Sequence, residues 1–168
     1  MKNSSVKNLT LSAFFAALIF IITAYLHVPS VMGYTHVGDA FIYLASSLLP
    51  TQYAVAASAI GAALADGLSG YSMWIIPTLI IKSLTAVWFT NKAGKILCKR
   101  NFLALIPAFI LCVGGYYFAA AVLTGSYLAA TEQIPGFVIQ VMLSSILYMA
   151  LGMALDKANF KQRMRGGK

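Results

Sequence analysis

Residues 39–66 read DAFIYLASSLLPTQYAVAASAIGAALAD, an apolar stretch opened and closed by aspartate and interrupted near its middle by Pro50-Thr51-Gln52. Two readings compete. One long helix from Thr35 to Leu68 would run about 50 Å at ~1.5 Å per residue. Two short helices turning at the proline would each be brief for a lipid span. The choice depends on the medium, and composition identifies it. Of 168 residues, 60% are hydrophobic and 10% charged, whereas soluble domains carry about 25% charged residues. That is too little polar surface to coat a globule in water, so lipid must cover the rest.

Working outward, the other apolar runs span residues 9–26, 73–90, 102–124 and 136–155, each near the ~20 residues that cross ~30 Å of hydrocarbon. The formal charge of +8 is concentrated between and beyond these runs. Lys2 and Lys7 precede the first; Lys92, Lys95, Lys99 and Arg100 follow the fourth; Lys157, Lys161, Arg163, Arg165 and Lys168 close the chain. Clusters that bracket hydrophobic runs are orientation signals rather than a phosphate-tracking stripe, which argues against nucleic-acid binding. With a single helix over 39–66 the 92–100 cluster falls outside the cell. With two helices all three clusters are cytoplasmic, as the positive-inside bias requires. The expectation is an all-α integral membrane bundle of six helices, about 9–27, 38–50, 52–68, 73–91, 102–124 and 136–157. It forms one domain over 1–168, with both termini cytoplasmic and the first run retained as a span. Trp74 and Trp88 fall near opposite ends of the fourth helix, where interfacial aromatic belts sit.

Motifs for ATP hydrolysis by a phosphate-binding loop, for zinc hydrolysis and for a nucleophile elbow are absent. Cys98 and Cys112 suggest neither a disulfide nor a metal pair. Three ionisable groups sit at membrane depth: Asp39, Asp66 and Lys82. A charge at the centre of a span costs at least ~2.5–3.5 kcal/mol, so such groups usually face the bundle interior or a cavity. Two readings stay open: a structural ion pair between Lys82 and an aspartate, or a polar floor under an outward-facing pocket. His27, His36 and Asp39 make an incomplete metal set, and no metal or other cofactor is expected. Ala13/Ala17 and Ser12/Ala16 on helix one, and Ala59/Ala63 and Gly61/Ala65 on helix three, stand at helix-packing spacing. Helix three would use them internally. Helix one would either pack internally or dock a partner. The stretches 27–38, 66–72 and 124–136 would be external loops over the pocket.

Thr35-His36-Val37-Gly38-Asp39, Gly61-Ala62-Ala63-Leu64-Ala65-Asp66, Ser69-Gly70-Tyr71 and Pro77-Thr78-Leu79-Ile80-Ile81-Lys82 occur in that order. Together they resemble the substrate-binding S components of energy-coupling-factor (ECF) vitamin transporters, most closely the riboflavin and hydroxymethylpyrimidine branch, over most of the chain. The resemblance implies a non-enzymatic six-helix subunit of a bacterial plasma membrane that captures a vitamin from outside. It also implies a T component and two ATP-binding subunits as partners, with Ala13 and Ala17 meeting the T component. The pocket residues it implies are Asp39, Asp66, Lys82 and Gln140, to which His36, Tyr71 and Trp74 are added as candidate hydrogen-bonding and ring contacts. Asp39 and Lys82 would bond ring substituents, Asp66 would set the charge, and Tyr34, Tyr71 or Trp74 would stack on the ring. Hydroxymethylpyrimidine, pyridoxine or riboflavin would be the ligand. Phe137 stands where relatives often carry Asn. A membrane enzyme acting on a lipid-linked substrate and a structural assembly subunit are the competing readings.

Overall fold

The structure, a computed structural model, describes residues 2–29, 33–164 and 166. Residues 30–32 of the first loop, and Arg165 and Lys168 of the terminal basic cluster, lie outside the described residues. Helices dominate: α1 (Lys2–Tyr25), α2 (Asp39–Leu48), α3 (Thr51–Leu68), α4 (Ile75–Trp88), α5 (Lys99–Leu103), α6 (Leu105–Thr124), α7 (Tyr127–Thr131), α8 (Ile134–Lys157) and α9 (Phe160–Met164). Between α1 and α2 the chain forms a small antiparallel pair, β1 (His27–Pro29) and β2 (Tyr34–His36), with His27 opposite His36 and Pro29 opposite Tyr34.

The break inside residues 39–66 has a local cause. A residue that precedes proline is pushed out of the helical region by the pyrrolidine ring. Leu49 accordingly takes ψ 154°, Pro50 takes ψ 143°, and α3 starts at Thr51. Every residue of α2 except Phe41 is buried. At ten residues the helix is about 15 Å long, half a hydrocarbon core, and its neighbours surround it. Ser46, Ser47 and Ser58 satisfy their hydroxyls on main-chain carbonyls four residues earlier, at 2.7–2.8 Å, so these three hydroxyls sit inside α2 and α3 with partners.

α3 packs most extensively on α1 and α4. Gly61 makes the α1 contact possible: a Cβ there would come within 2.5 Å of the Ala16 carbonyl oxygen and 3.0 Å of Ile19 Cβ. Lipid offers helices no hydrophobic drive to associate, so close backbone approach through small residues is what holds such pairs. Ser12 adds a hydrogen bond to the Tyr53 carbonyl at 2.8 Å. By contrast Ala13 and Ala17 face outward.

Large apolar side chains point away from the bundle, among them Ile80, Ile106, Ile110, Phe118, Val122 and Ile146. The interior holds serines, threonines, Asn101, Gln140 and a charge pair. That inside-out distribution is the one a lipid solvent selects. Among the described residues, three segments are long and apolar enough to cross a membrane: Ser5–Tyr25, Lys99–Thr124 and Tyr127–Lys157. Asp39–Leu48 and Ser72–Trp88 are apolar but shorter.

The observed bounds differ from the sequence expectation in several places. α1 begins at Lys2, α8 begins at Ile134, and the fourth helix is a 3-10 turn (Ser72–Trp74) leading into α4. That turn carries Trp74 into the interior at 5% exposure, so its expected place in an interfacial belt is corrected, while Trp88 at 53% does face outward. Residues 27–36, expected as irregular loop, contain the strand pair, and residues 124–136 contain α7.

At the end opposite the hairpin, the irregular segment from Thr90 to Cys98 is tied down by two side chains. Asn101 accepts from the Thr90 N–H (2.7 Å) and donates to the Thr90 and Ile96 carbonyls (3.0 and 2.9 Å) and to Ser47 Oγ (3.1 Å). The Asp156 carboxylate accepts from the Ile96 and Leu97 N–H groups at 2.7 and 2.9 Å. Beneath them Tyr43, Phe89 and Tyr148 form an aromatic core, with Tyr43 and Phe89 stacked at 4.9 Å.

Candidate functional site

At the hairpin end β2, α3, the 3-10 turn, α4, α6 and α8 converge on a cavity. Its aromatic wall is Trp74, Tyr116 and Phe137. The Tyr116 and Phe137 rings stack at 5.3 Å, and Trp74 lies 5.7 Å from Tyr116. Its polar lining comes from Tyr34, His36, Asp66, Thr78, Gln133 and Gln140. Gly33 completes the rim, next to Trp74 and Gln133.

The polar groups divide into those that are engaged and those that are not. Tyr34 donates to Asp66 Oδ1 at 2.5 Å. Burial, and then the Asp66 carboxylate, push the Tyr34 phenol well above its ordinary range, so it serves as a neutral donor. Thr78 Oγ1 and the Tyr116 hydroxyl share a bond of 2.9 Å. Gln133 differs: it is 6% exposed and neither its amide nitrogen nor its amide oxygen has a partner. A buried amide left without partners costs about 1–3 kcal/mol for each unsatisfied group, so its position on the cavity wall calls for an explanation beyond stability.

Behind Gln140 lies the charge pair. Lys82 Nζ stands 2.7 Å from Asp39 Oδ1 and donates to Oδ2 at 2.9 Å, with both side chains 2% exposed. Gln140 Nε2 donates to the same Oδ2 at 3.0 Å and to Cys112 Sγ at 3.8 Å. The ammonium also sits 5.0 Å from the Tyr116 ring centroid, a cation–π contact that helps hold the desolvated charge.

Of the residues expected to form a site, His36, Asp66, Trp74 and Gln140 line the cavity together. Asp39 and Lys82 adjoin it through Gln140 and Tyr116 rather than lining it. Tyr71 stands one ring further out, 4.7 Å from Tyr34. Thr78, Tyr116, Gln133, Phe137 and Gly33 were not read from sequence as contacts, although Tyr116 gave a signal as a tyrosine inside an otherwise apolar run. Among the described residues no three His, Cys, Asp or Glu side chains gather as a metal set.

His36 links hairpin and floor. Its Nδ1 accepts from the Gly38 N–H at 3.1 Å, which requires that nitrogen to be unprotonated. Gly38 has no room for a side chain, since a Cβ would overlap Thr23 Oγ1. Burial lowers the His36 pKa from 6.5 to about 4, outweighing the Asp39 carboxylate, which raises it. The unfolded chain therefore takes up this proton first. Its contribution to stability is intact above about pH 6.5 and falls as pH drops from there to about 4. Melts in detergent at pH 7.5 and 5 should show that decline (both values about one unit inside or outside the window). His36→Gln, whose amide oxygen can accept from Gly38, should flatten it.

An interior of partnered charges, an apolar exterior and a polar–aromatic cavity at one end define a helical membrane protein built to hold a small solute. A model of the family described as ECF-type riboflavin transporter, S component, matches residues 3–157, and the chain belongs to that family. No individual curated protein matches it. Membership makes the chain a substrate-binding subunit for vitamin uptake in a transporter family rather than an enzyme family. It also implies a small vitamin substrate and the T and ATP-binding components as partners.

Proposed function

We propose that the cavity beside the hairpin captures a small heteroaromatic vitamin or precursor from outside a bacterial cell, in a six-span arrangement with both termini cytoplasmic. The observation that carries this reading is the unpartnered Gln133 amide facing Trp74, Tyr116 and Phe137. A wall of rings with a few placed polar groups is how concave sites hold planar ligands. The Gln133 amide offers one donor and one acceptor side by side, which suits a ring edge bearing both.

Size orders the candidates. The cavity holds about 30 Å³, against ~300 Å³ at the small end of ligand pockets. The hairpin and its rings must therefore move apart to admit a ligand, and a single ring demands less movement than three fused rings. Hydroxymethylpyrimidine or pyridoxine comes first and riboflavin next. Asp66, His36 and Gln140 supply polar contacts, while Asp39 and Lys82 hold Gln140 in place. Tyr71 backs Tyr34.

On the opposite flank Ala13 and Ala17 face an open groove of about 450 Å³ shared with Ala56, Ile60 and Leu64. We read this face as the contact with the T component, through which the two ATP-binding subunits act. The Ser12/Ala16 face is spent on α3.

Titration calorimetry of the purified protein with the three candidates tests the capture reading. One of them should bind and quench Trp74 fluorescence; no heat and no quenching with any would sink it. Gln133→Leu should weaken binding at least about tenfold, the loss of roughly 1.4 kcal/mol of ligand hydrogen bonding. Because the Gln133 amide bonds nothing in the protein, the same substitution should leave the melting temperature unchanged or raise it.

A further inference from the structure

At the Asn101 end, Trp88, Lys99, Arg100, Leu103, Ala104 and Pro107 line an open groove of about 570 Å³, far roomier than the cavity at the hairpin end. Trp88, Lys99, Arg100 and Leu103 are exposed. Nothing in the capture of a vitamin uses this groove, and its chemistry is different: two cations at the mouth, an indole at one side and an apolar floor.

The location of the carboxylates makes the groove informative. The chain has four acidic residues. Asp39 pairs with Lys82 and Asp66 accepts from Tyr34. Glu132 adjoins Gln133 at the hairpin end. Asp156 is the one acid at the Asn101 end, and both its oxygens are taken by main-chain N–H groups. Two other cations at this end are engaged: Lys161 donates to the Lys95 carbonyl, and Lys7 donates to the Met164 carbonyl. Lys99 and Arg100 have no hydrogen bond or ion pair of their own among the described residues. Among the described residues no carboxylate pairs with these two cations.

We propose that this groove binds the phosphate headgroup of an anionic phospholipid. Arg100 grips the phosphate through two parallel N–H donors, and Lys99 adds a point charge. The Trp88 ring lies at headgroup level, where indoles partition. Leu103, Ala104 and Pro107 support the first carbons of an acyl chain. Basic grooves beside membrane helices recruit anionic lipids in this way, and the medium that must surround the bundle supplies them.

The test uses the full chain, purified and delipidated in detergent, with dioleoyl phosphatidylglycerol or dioleoyl phosphatidylcholine added. Phosphatidylglycerol should raise the melting temperature and remain bound in native mass spectra; phosphatidylcholine should do neither. K99Q together with R100Q should weaken phosphatidylglycerol binding at least tenfold without changing the melting temperature in its absence, because both side chains are exposed and unpartnered. Trp88→Leu should weaken it by a smaller factor. K92Q together with K95Q removes the same formal charge from the neighbouring loop and should leave binding unchanged. Equal loss in the Lys92/Lys95 variant would overturn the proposal in favour of a diffuse positive surface. Stabilisation by inorganic phosphate at equal concentration, or by phosphatidylcholine, would also overturn it. So would intact lipid binding in the Lys99/Arg100 variant, including the case in which that variant instead loses association with the other transporter subunits.

Discussion

Lys82→Met is expected to destabilise the protein by about 3–5 kcal/mol, the usual cost of stranding one partner of a buried pair. Asp39 would keep only the Gln140 amide as a partner in a site that is 2% exposed. Asp39→Asn combined with Lys82→Met should recover most of that loss. The amide can still accept from Gln140, and no charge remains to be desolvated; replacing a whole buried pair with neutral groups is often close to free. Denaturation followed by intrinsic fluorescence in detergent reads both variants, and a double variant no more stable than Lys82→Met would contradict this account. The same pair of proteins separates the two readings of these residues. If they touch the ligand, the double variant folds and fails to bind. If they only position Gln140, as their place behind it suggests, the double variant retains most of the affinity.

The second large effect is expected at the other end. Asn101→Ala removes four hydrogen bonds at once and leaves the Thr90 N–H and carbonyl to find water, while the Ile96 carbonyl keeps the Cys98 N–H and the Tyr148 hydroxyl. At about 1–3 kcal/mol for each stranded buried group, a loss of about 3 kcal/mol is expected even after partial rehydration. Asp156→Ala releases the Ile96 and Leu97 N–H groups and should cost about 2 kcal/mol, charged acceptors forming the stronger bonds. Because both side chains hold one segment, their effects should combine to less than their sum. Trypsin checks this directly: Lys92 and Lys95 lie in the segment, and cutting there should speed up in each variant. An unchanged cleavage rate in Asn101→Ala would show that the segment is held by other means.

These two ends differ in how far the sequence alone discloses them. The helix break at Pro50 and the close packing at Gly61 follow from residue types whose backbone chemistry is nearly obligatory. Asp39, Asp66 and Lys82 stood out because charge in an apolar run is costly wherever it occurs. The Lys82 partner was not fixed by that argument; geometry chose Asp39 over Asp66. The hairpin was hidden because strands of three residues are too short for alternation to register. Trp74, expected both near the interface and against the ligand ring, turns inward on the 3-10 turn before α4 and lines the cavity. Asn101 and Asp156 lay among basic loop residues and a helix end, where polar side chains are ordinary. Their value comes from the main-chain groups opposite them, which composition does not reveal. Gln133 is similar: its significance is the lack of a partner, a property of three dimensions.

A ten-residue α2 walled in on nearly every side has a mechanical consequence. The longer helices around it must tilt or stretch to suit whichever bilayer they meet, because their flanks touch acyl chains. A post with no such flank is exempt from that adjustment. Since Asp39 begins this post and Gln140 hangs on Asp39, the base of the candidate cavity should hold its shape across membranes of different thickness, while the rim rides with the lipid.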